Sequence, residues 1–297
     1  MDVLSFGSLN LDHVYSVPHF VTPGETLMTA DYKICYGGKG LNQSIAAARA
    51  GVNVTHAGTY GSGGDCLLNY LHQNNVNTSI LQKVDLPQGH AIIQVSNTGE
   101  NCIMLFPGSN FAVSRDYVDF VLSKCSAPGY LLLQNEISEL PYIVDKFADS
   151  DFKVVLNASP YNDGIEKVNF EKLSWLLINE IEGAEITGKS DSEDIISSLQ
   201  AQYANLGIVL TLGSRGCICA CAGKHLSHGI FHVPVKDTTG AGDTFTGYFV
   251  ASLAKGLSLG DALKYASAAA ALSVSSDGAA QSIPVWNSVE QFLLSKE

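Results

Sequence analysis

Three glycine-rich segments carry the polar side chains of this chain that could do chemistry. The most informative is Asp237-Thr238-Thr239-Gly240-Ala241-Gly242-Asp243. Gly240, Ala241 and Gly242 are small, so their backbone N–H groups can come close to an anion. The run that follows reads as helical, and a helix starting near Gly242 puts its positive dipole end at the same spot. Asp243 then stands in the first turn, beside a bound phosphate. A carboxylate there can take a proton from an attacking hydroxyl while the N–H groups hold a transferring phosphoryl group. A bare Gly-Ala-Gly-Asp is equally well explained as a stabilised helix start; the longer string is far rarer by chance.

The second segment is Gly37-Gly38-Lys39-Gly40-Leu41-Asn42-Gln43, again a turn opening a helix. Lys39 and Asn42, three apart, share one helix face and offer donors and an acceptor to a polyol. The competing explanation is an ordinary turn with an exposed lysine. The third is Gly7-Ser8-Leu9-Asn10-Leu11-Asp12, which follows the first apolar run. Asn10 and Asp12, two apart in an extended chain, point the same way. An amide beside a carboxylate suits neighbouring sugar hydroxyls, although Asp12 could also be a turn residue. The segment lacks the G-x-G-x-x-G spacing of a dinucleotide fingerprint, so a nicotinamide cofactor is not expected.

These segments need a frame. Short apolar runs at 3–7, 130–134, 153–157, 175–179 and 208–212 lack alternation, as strands buried on both faces do. Helical stretches separate them, which predicts an α/β, three-layer domain around a mostly parallel sheet. Residues 9–36 and 88–106 break the pattern: they hold strands with no helix between them and a hairpin turn at Asn97-Thr98-Gly99. A small sheet beside a large one suggests a lid. No linker or repeat divides the chain, so one domain with a β lid is expected over 1–297.

Two further signals are weighed and set aside. Gly183 to Ser190, GAEITGKS, matches the phosphate-loop pattern G-x-x-x-x-G-K-S/T letter for letter. That loop must leave a strand and run straight into a helix. Here the segment reads as helical itself, Ser190-Asp191-Ser192-Glu193 reads as a fresh helix start, and no apolar strand ends in the partner Asp. Cys217, Cys219 and Cys221 share one strand face at period 2. With no second ligand pair they read as core thiols, not as a zinc site.

Composition narrows the partners. With hydrophobic residues at 46% and charged residues at 15%, the chain has the makings of a large core. A formal charge of −12 makes nucleic acid and anionic membranes poor partners. No apolar run reaches the roughly 18 residues of a membrane span. The start of the chain lacks a basic leader, and the seven cysteines are odd in number, so a cytosolic location is expected.

In their order along the chain, GSLNLDH (7–13), TPGET (22–26), GGKGLNQ (37–43), GENCI (99–103), NEIE (179–182), TLGSRG (211–216) and DTTGAGDTF (237–245) make this sequence resemble the ribokinase-like (PfkB-type) sugar kinases. The resemblance covers residues 3 to about 284. It implies ATP with magnesium as phosphoryl donor and a small sugar as acceptor. By it, Asp243 is the base on the sugar's 5-hydroxyl, and Gly240, Ala241 and Gly242 form the anion hole. Asn10, Asp12, Gly38, Lys39, Asn42 and Glu136 hold the sugar. Asn179 and Glu182 organise phosphates and magnesium, while Thr211, Gly213, Gly216 and Gly242 serve the nucleotide. A monovalent cation, usually potassium, is implied near the anion hole at Asp237, Thr239, Gly278 and Ser282. The lid is implied to make a homodimer. Three departures stand out: Ile178 where a proline usually precedes N-x-x-E, Ala158-Ser159-Pro160 in place of Pro-Ala-Pro, and Ser276-Asp277 in place of a basic pair.

Among sugars, ribose fits best, because its 2- and 3-hydroxyls need the paired polar partners that Asn10, Asp12 and Lys39 supply. An apolar residue at position 10 would suit a deoxysugar, since a buried amide without a partner costs about 1–3 kcal/mol. Other acceptors of the same class remain open: 2-deoxyribose, another pentose or ketose, or a nucleoside. A sugar sensor without catalysis is the remote alternative.

Overall fold

The runs Val3–Phe6, Gly129–Gln134, Phe152–Asn157, Trp175–Asn179 and Gly207–Thr211 all form strands of one sheet in the computed structural model, which describes residues 2–125 and 129–296. That sheet has nine strands in the order 224–228, 217–221, 207–211, 175–179, 152–157, 129–134, 3–6, 54–57, 76–77. All neighbours are parallel from 76–77 through to 207–211, and the last two pairs are antiparallel.

Alternate residues of each strand feed two separate cores. Val3, Leu132, Val155, Leu177 and Val209 pack against the helices Lys39–Arg49, Ala241–Ala254, Leu259–Val274 and Trp286–Leu294. Leu4, Leu131, Leu133, Val154, Leu156 and Ile208 pack against Arg115–Lys124, Leu140–Ala148 and Ser192–Gln202. Both faces are therefore dry, which is why the strands read as unbroken apolar runs. At about 1.5–3 kcal/mol for each fully buried aliphatic side chain, these two layers hold the frame on which the loops sit.

The second sheet has four strands in the order 31–37, 10–17, 90–96, 101–106. It matches the expected segments, and the turn before Glu100 is closed by the Gly99 amide donating to Ser96 O and by Gly99 at φ +83°. A parallel pair, Thr59–Ser62 with Gln82–Pro87, was not anticipated; its four and six residues carry no periodic pattern. Among the described residues, no helix is long and apolar enough to cross a membrane.

Candidate active site

The helix Ala241–Ala254 begins one residue before the expected start, with Gly240 as its cap at φ +75°. A side chain at 240 would be strained there and would meet Ala279 at 3.0 Å. Asp243 is buried in the first turn. Gly247 lies one turn further on the same face, and a Cβ on it would meet Ala46 Cβ at 2.4 Å and Gln43 O at 2.7 Å. This glycine lets the helix Lys39–Arg49 approach closely. As a result Asn42 Nδ2 donates to Asp243 Oδ2 and Gln43 Nε2 donates to Asp243 Oδ1, both at 2.9 Å.

The first turn of Lys39–Arg49 also packs against the end of the first strand. Gly40 sits so tightly on Gly7 and Ser8 that a Cβ would lie 2.3 Å from Ser8 N. Ser8 Oγ donates to Glu136 Oε2, which also accepts the Lys39 amide at 3.0 Å. Burial pushes the Glu136 carboxyl up, against the pull of Lys39. Burial alone would lower the Lys39 ammonium, but Asp243, Glu136 and Glu182 outweigh it and hold it above the usual lysine value. Burial, then Glu136 and Asp243, push the Asp12 carboxyl up to about 7. Asp12 lies over Gly37, where a Cβ would be 1.9 Å from its Oδ2. Asp243, Glu136 and Glu182 thus act on one lysine, with Asp12 beside Glu136 and Asp243.

Two buried amides have their orientation fixed. Asn110 Nδ2 donates to Asn10 Oδ1 at 2.7 Å, while Asn110 Oδ1 accepts the Leu9 amide at 2.9 Å. Asn10 therefore keeps its NH2 for something else. Asn42 spends its NH2 on Asp243, and its Oδ1 is buried without a partner among the described residues. A buried unpaired carbonyl is what a ligand hydroxyl would satisfy.

Asn179 and Glu182 form a capping box at the helix Glu180–Thr187: Asn179 Oδ1 accepts the Glu182 amide and Glu182 Oε2 accepts the Asn179 amide, both at 2.9 Å. Both also line a polar cavity of about 170 Å³ with Lys39, Gly240, Gly242, Asp243 and Thr246. Thr211 and Gly242 join that cavity to an apolar one of about 450 Å³. Gly213, Gly216, Phe231, Val235, Ala271 and Val274 line the second. A polar end with a carboxylate and helix-end amides, opening into an apolar slot, can hold a phosphate chain with a flat base behind it. A larger hollow of about 610 Å³, between 79–83 and 114–120, contains none of these residues.

Asp237 Oδ1 accepts the Thr239 amide and Oδ2 the Gly278 amide, both at 2.9 Å. Burial raises this carboxyl, but these hydrogen bonds outweigh burial and hold it below its usual range. Ser282 is buried, with Oγ donating to Ala279 O at 2.9 Å, so 278–282 abuts the Gly240 turn. Lys39, Asn179, Glu182 and Asp243 line the polar end, which Asn42 reaches by donating to Asp243 and Glu136 by accepting the Lys39 amide. Asn10, Asp12 and Gly38 lie outside that lining, Gly38 against Asn10 and Asp12 over Gly37. Thr211, Gly213 and Gly216 line the apolar end.

GAEITGKS lies elsewhere in form: it is the end of the helix Glu180–Thr187, a left-handed Gly188 at φ +69°, and exposed Lys189 before the Asp191 cap of the next helix. Cys217, Cys219 and Cys221 occupy one strand face against the core, and burial pushes the first two thiols up to about 11 and 12. Sequence reading gave no role to Gln43, Ser8, Asn110 or Gln134. Gln43 and Ser8 stood inside the singled-out strings, but Asn110 and Gln134 carried no local signal.

A family model for the pfkB family carbohydrate kinases matches residues 1–286. The chain is 36% identical over 300 residues to the ribokinase of Haemophilus influenzae, covering 97% of this chain and 96% of that one. Its structure is similar to a ribokinase from Cryptococcus neoformans var. grubii in complex with ADP, with a TM-score of 0.83, 34% identity, and 98% and 99% of the two chains covered. It is likewise similar to the Arabidopsis thaliana ribokinase complexed with ribose and ATP, with a TM-score of 0.86, 26% identity and 98% of each chain covered. The ribokinase-like α/β fold expected from the sequence is the one observed.

Proposed function

The chain belongs to the pfkB family of carbohydrate kinases, and from that premise we propose that it phosphorylates the 5-hydroxyl of ribose with ATP, using Asp243 as base. The observation that carries this reading is the meeting of the Asp243 carboxylate, gripped by Asn42 and Gln43, with the amides of a helix start at the junction of two cavities.

The adenine occupies the apolar slot past Thr211, Gly213 and Gly216, and the phosphates run to the helix start at Gly240–Gly242. The sugar sits over Asn10, Asp12, Gly38, Lys39, Asn42 and Glu136. Asn10 offers it donors and Asn42 an acceptor, so the pocket prescribes the direction of each hydrogen bond. The 5-hydroxyl gives its proton to Asp243 as its oxygen bonds to the γ-phosphorus. The bond from that phosphorus to the bridging oxygen breaks, and ADP leaves with the electron pair. The Gly240 and Gly242 amides are to meet the charge that develops on the phosphoryl oxygens, and the Ala241 amide, which donates to Thr238 O at 3.3 Å, must turn from that carbonyl to join them.

Among the described residues no three His, Cys, Asp or Glu side chains are grouped to hold a metal ion, so a magnesium ion would be carried chiefly by the ATP oxygens. Asn179 and Glu182 would organise that magnesium indirectly; when bound, it supplies charge neutralisation for the ATP oxygens. Asp237, with Thr239, Gly278 and Ser282, fits a monovalent cation, potassium: both carboxylate oxygens take amide protons, and the group retains its negative charge. The small sheet serves as lid and as dimer surface. Edge strand Asn101–Phe106 is exposed along its length, with Ile103, Met104, Leu105 and Phe106 all open to solvent. Seven free thiols suit a reducing, cytosolic setting.

A panel of ribose, 2-deoxyribose, other pentoses, ketoses and nucleosides with ATP and magnesium tests the reading. Ribose is expected to give the highest kcat/KM, and Asn10→Leu to weaken ribose more than 2-deoxyribose. A nucleoside turned over faster than ribose would overturn it.

A further inference from the structure

Gln43 lines neither cavity, yet its side chain is fully buried against the proposed base. Its Nε2 donates to Asp243 Oδ1 at 2.9 Å, and its Oε1 accepts from Gln134 Nε2 at 2.8 Å. We infer that Gln43, backed by Gln134, is a positioning residue that holds the Asp243 carboxylate in the orientation that phosphoryl transfer needs. The inference rests on the reading of Asp243 as base.

An amide presents a donor at one end and an acceptor at the other, with nearly the same shape. If Gln43 turned its oxygen to Asp243, the pair would repel. The carboxylate, which only accepts, selects the NH2 end, and Gln134 Nε2 on Gln43 Oε1 backs that choice, while Gln134 Oε1 has no partner among the described residues. Gln134 is the last residue of the strand Gly129–Gln134 and is fully buried. It is wedged over Gly7, where a Cβ would lie 2.1 Å from Gln134 Oε1. The chain strand end, Gln134, Gln43, Asp243 therefore ties the base to the central sheet. Asn42 makes no such tie to the sheet: its outer oxygen has no partner among the described residues.

The electrostatic setting makes the tie matter. Asp12 on the small sheet and Glu136 after the strand 129–134 both act on Asp243 as like charges, and Glu182 lies across the shared cavity. Lys39 is the opposing cation. Loss of the Gln43 donor would leave the carboxylate held on the Asn42 side alone, free to turn under that repulsion. The plainer alternative is that two buried glutamines merely satisfy each other.

The full chain carrying Gln43→Glu, Gln134→Met or Asp243→Asn separates these readings. Measurements are kcat and KM for ribose and ATP from pH 5 to 9, with thermal melts. Gln43→Glu keeps the shape but turns an oxygen to Asp243. It is expected to lower kcat at pH 7 by about tenfold to a hundredfold. Both KM values are expected to stay within about threefold. Gln134→Met is expected to act in the same direction with a smaller amplitude, and it decides the matter should Gln43→Glu fail to fold. A lower melting temperature with kcat unchanged in the folded variants means a structural role only and overturns the inference. If Asp243→Asn keeps turnover, the base reading itself falls; if it is inactive while Gln43→Glu and Gln134→Met keep kcat, only the inference falls.

Discussion

Gly183–Ser190 and Gly240–Asp243 are both glycine-rich stretches next to helices, and they end in opposite roles. The first matches a phosphate-loop pattern in every letter. Yet its lysine is on an exposed turn between two helices, and Gly183 is buried in a helix against Ile195 and Ile178. The second matches a looser pattern, but its left-handed Gly240 turns the chain into a helix directly beside the polar cavity. The difference is what lies across from each start. Opposite Asp243 are Asn42 and Gln43; opposite Lys189 is solvent. A glycine-rich string binds an anion only when its amides face a cavity.

The sharpest way to break this contrast is Asp243→Asn. It is expected to keep ribose binding and to lose kcat by about 10²–10⁴-fold. Calorimetry with ribose and a turnover assay check the two halves; retention of more than about a tenth of kcat would show that the base is another group.

Next come the glycines. Gly40→Ala places a Cβ 2.3 Å from Ser8 N and 2.5 Å from Gly7 C, so backbone must move. A loss of about 1–3 kcal/mol in stability and of about 10–100-fold in kcat/KM is expected, since the donors on Asp243 shift with the helix. Gly188→Ala meets nothing within 4 Å and carries only the strain of φ +69°. It should cost about 1 kcal/mol and leave kcat/KM intact. Equal kinetic losses from the two would erase the distinction.

Asp12 adds a pH test. Its carboxyl, raised to about 7 mainly by burial, is protonated over a range where the unfolded group, near 3.9, is ionised. Its favourable share of apo stability is therefore present below about pH 4 and lost as pH rises towards 7. Sugar binding that uses the carboxylate runs the other way: ribose affinity is expected to weaken by up to about tenfold per pH unit below 7. Titration calorimetry from pH 5.5 to 8.5 checks this, and an unchanged slope in Asp12→Asn would remove Asp12 from the explanation.

A smaller effect is expected from the cation loop. Potassium should stimulate turnover roughly fivefold or more over a large organic cation at equal ionic strength, with Asp237→Ala losing most of the gain. Identical rates in the two salts would dismiss the site. Smallest of all, Lys189→Ala should change kcat and KM by less than about twofold, as a solvated surface residue does. Collapse of kcat there would return the phosphate-loop pattern to the active site.

Much of this molecule was legible along the chain. Central strands announced themselves because both faces are dry, so each run is apolar throughout. The small sheet was legible through its hairpin and the absence of intervening helices. Asn10, Asp12, Lys39, Asn42 and Asp243 were legible as polar residues at strand ends and helix starts, while Glu136 came only through the family resemblance. The pair Thr59–Ser62 with Gln82–Pro87 was not, because two short strands far apart have no pattern of their own. N-x-x-E was read for its implied chemistry, while its capping box is equally a local folding device.

By itself, then, the sequence determined the layers, the helix starts and the types of group that reach the site. These depend on periodicity and turn chemistry, which act over a few residues. Tertiary structure alone decided which groups touch. Asn42 meets Asp243 across 201 positions because Gly247 lets two helices close. Gln134 meets Gln43 across 91 because a strand end stops beside a helix. Asn110 reaches Asn10 across 100. The donor or acceptor face that each amide shows the ligand follows from these contacts, since an amide has no intrinsic preference and takes its direction from the neighbour that packing supplies.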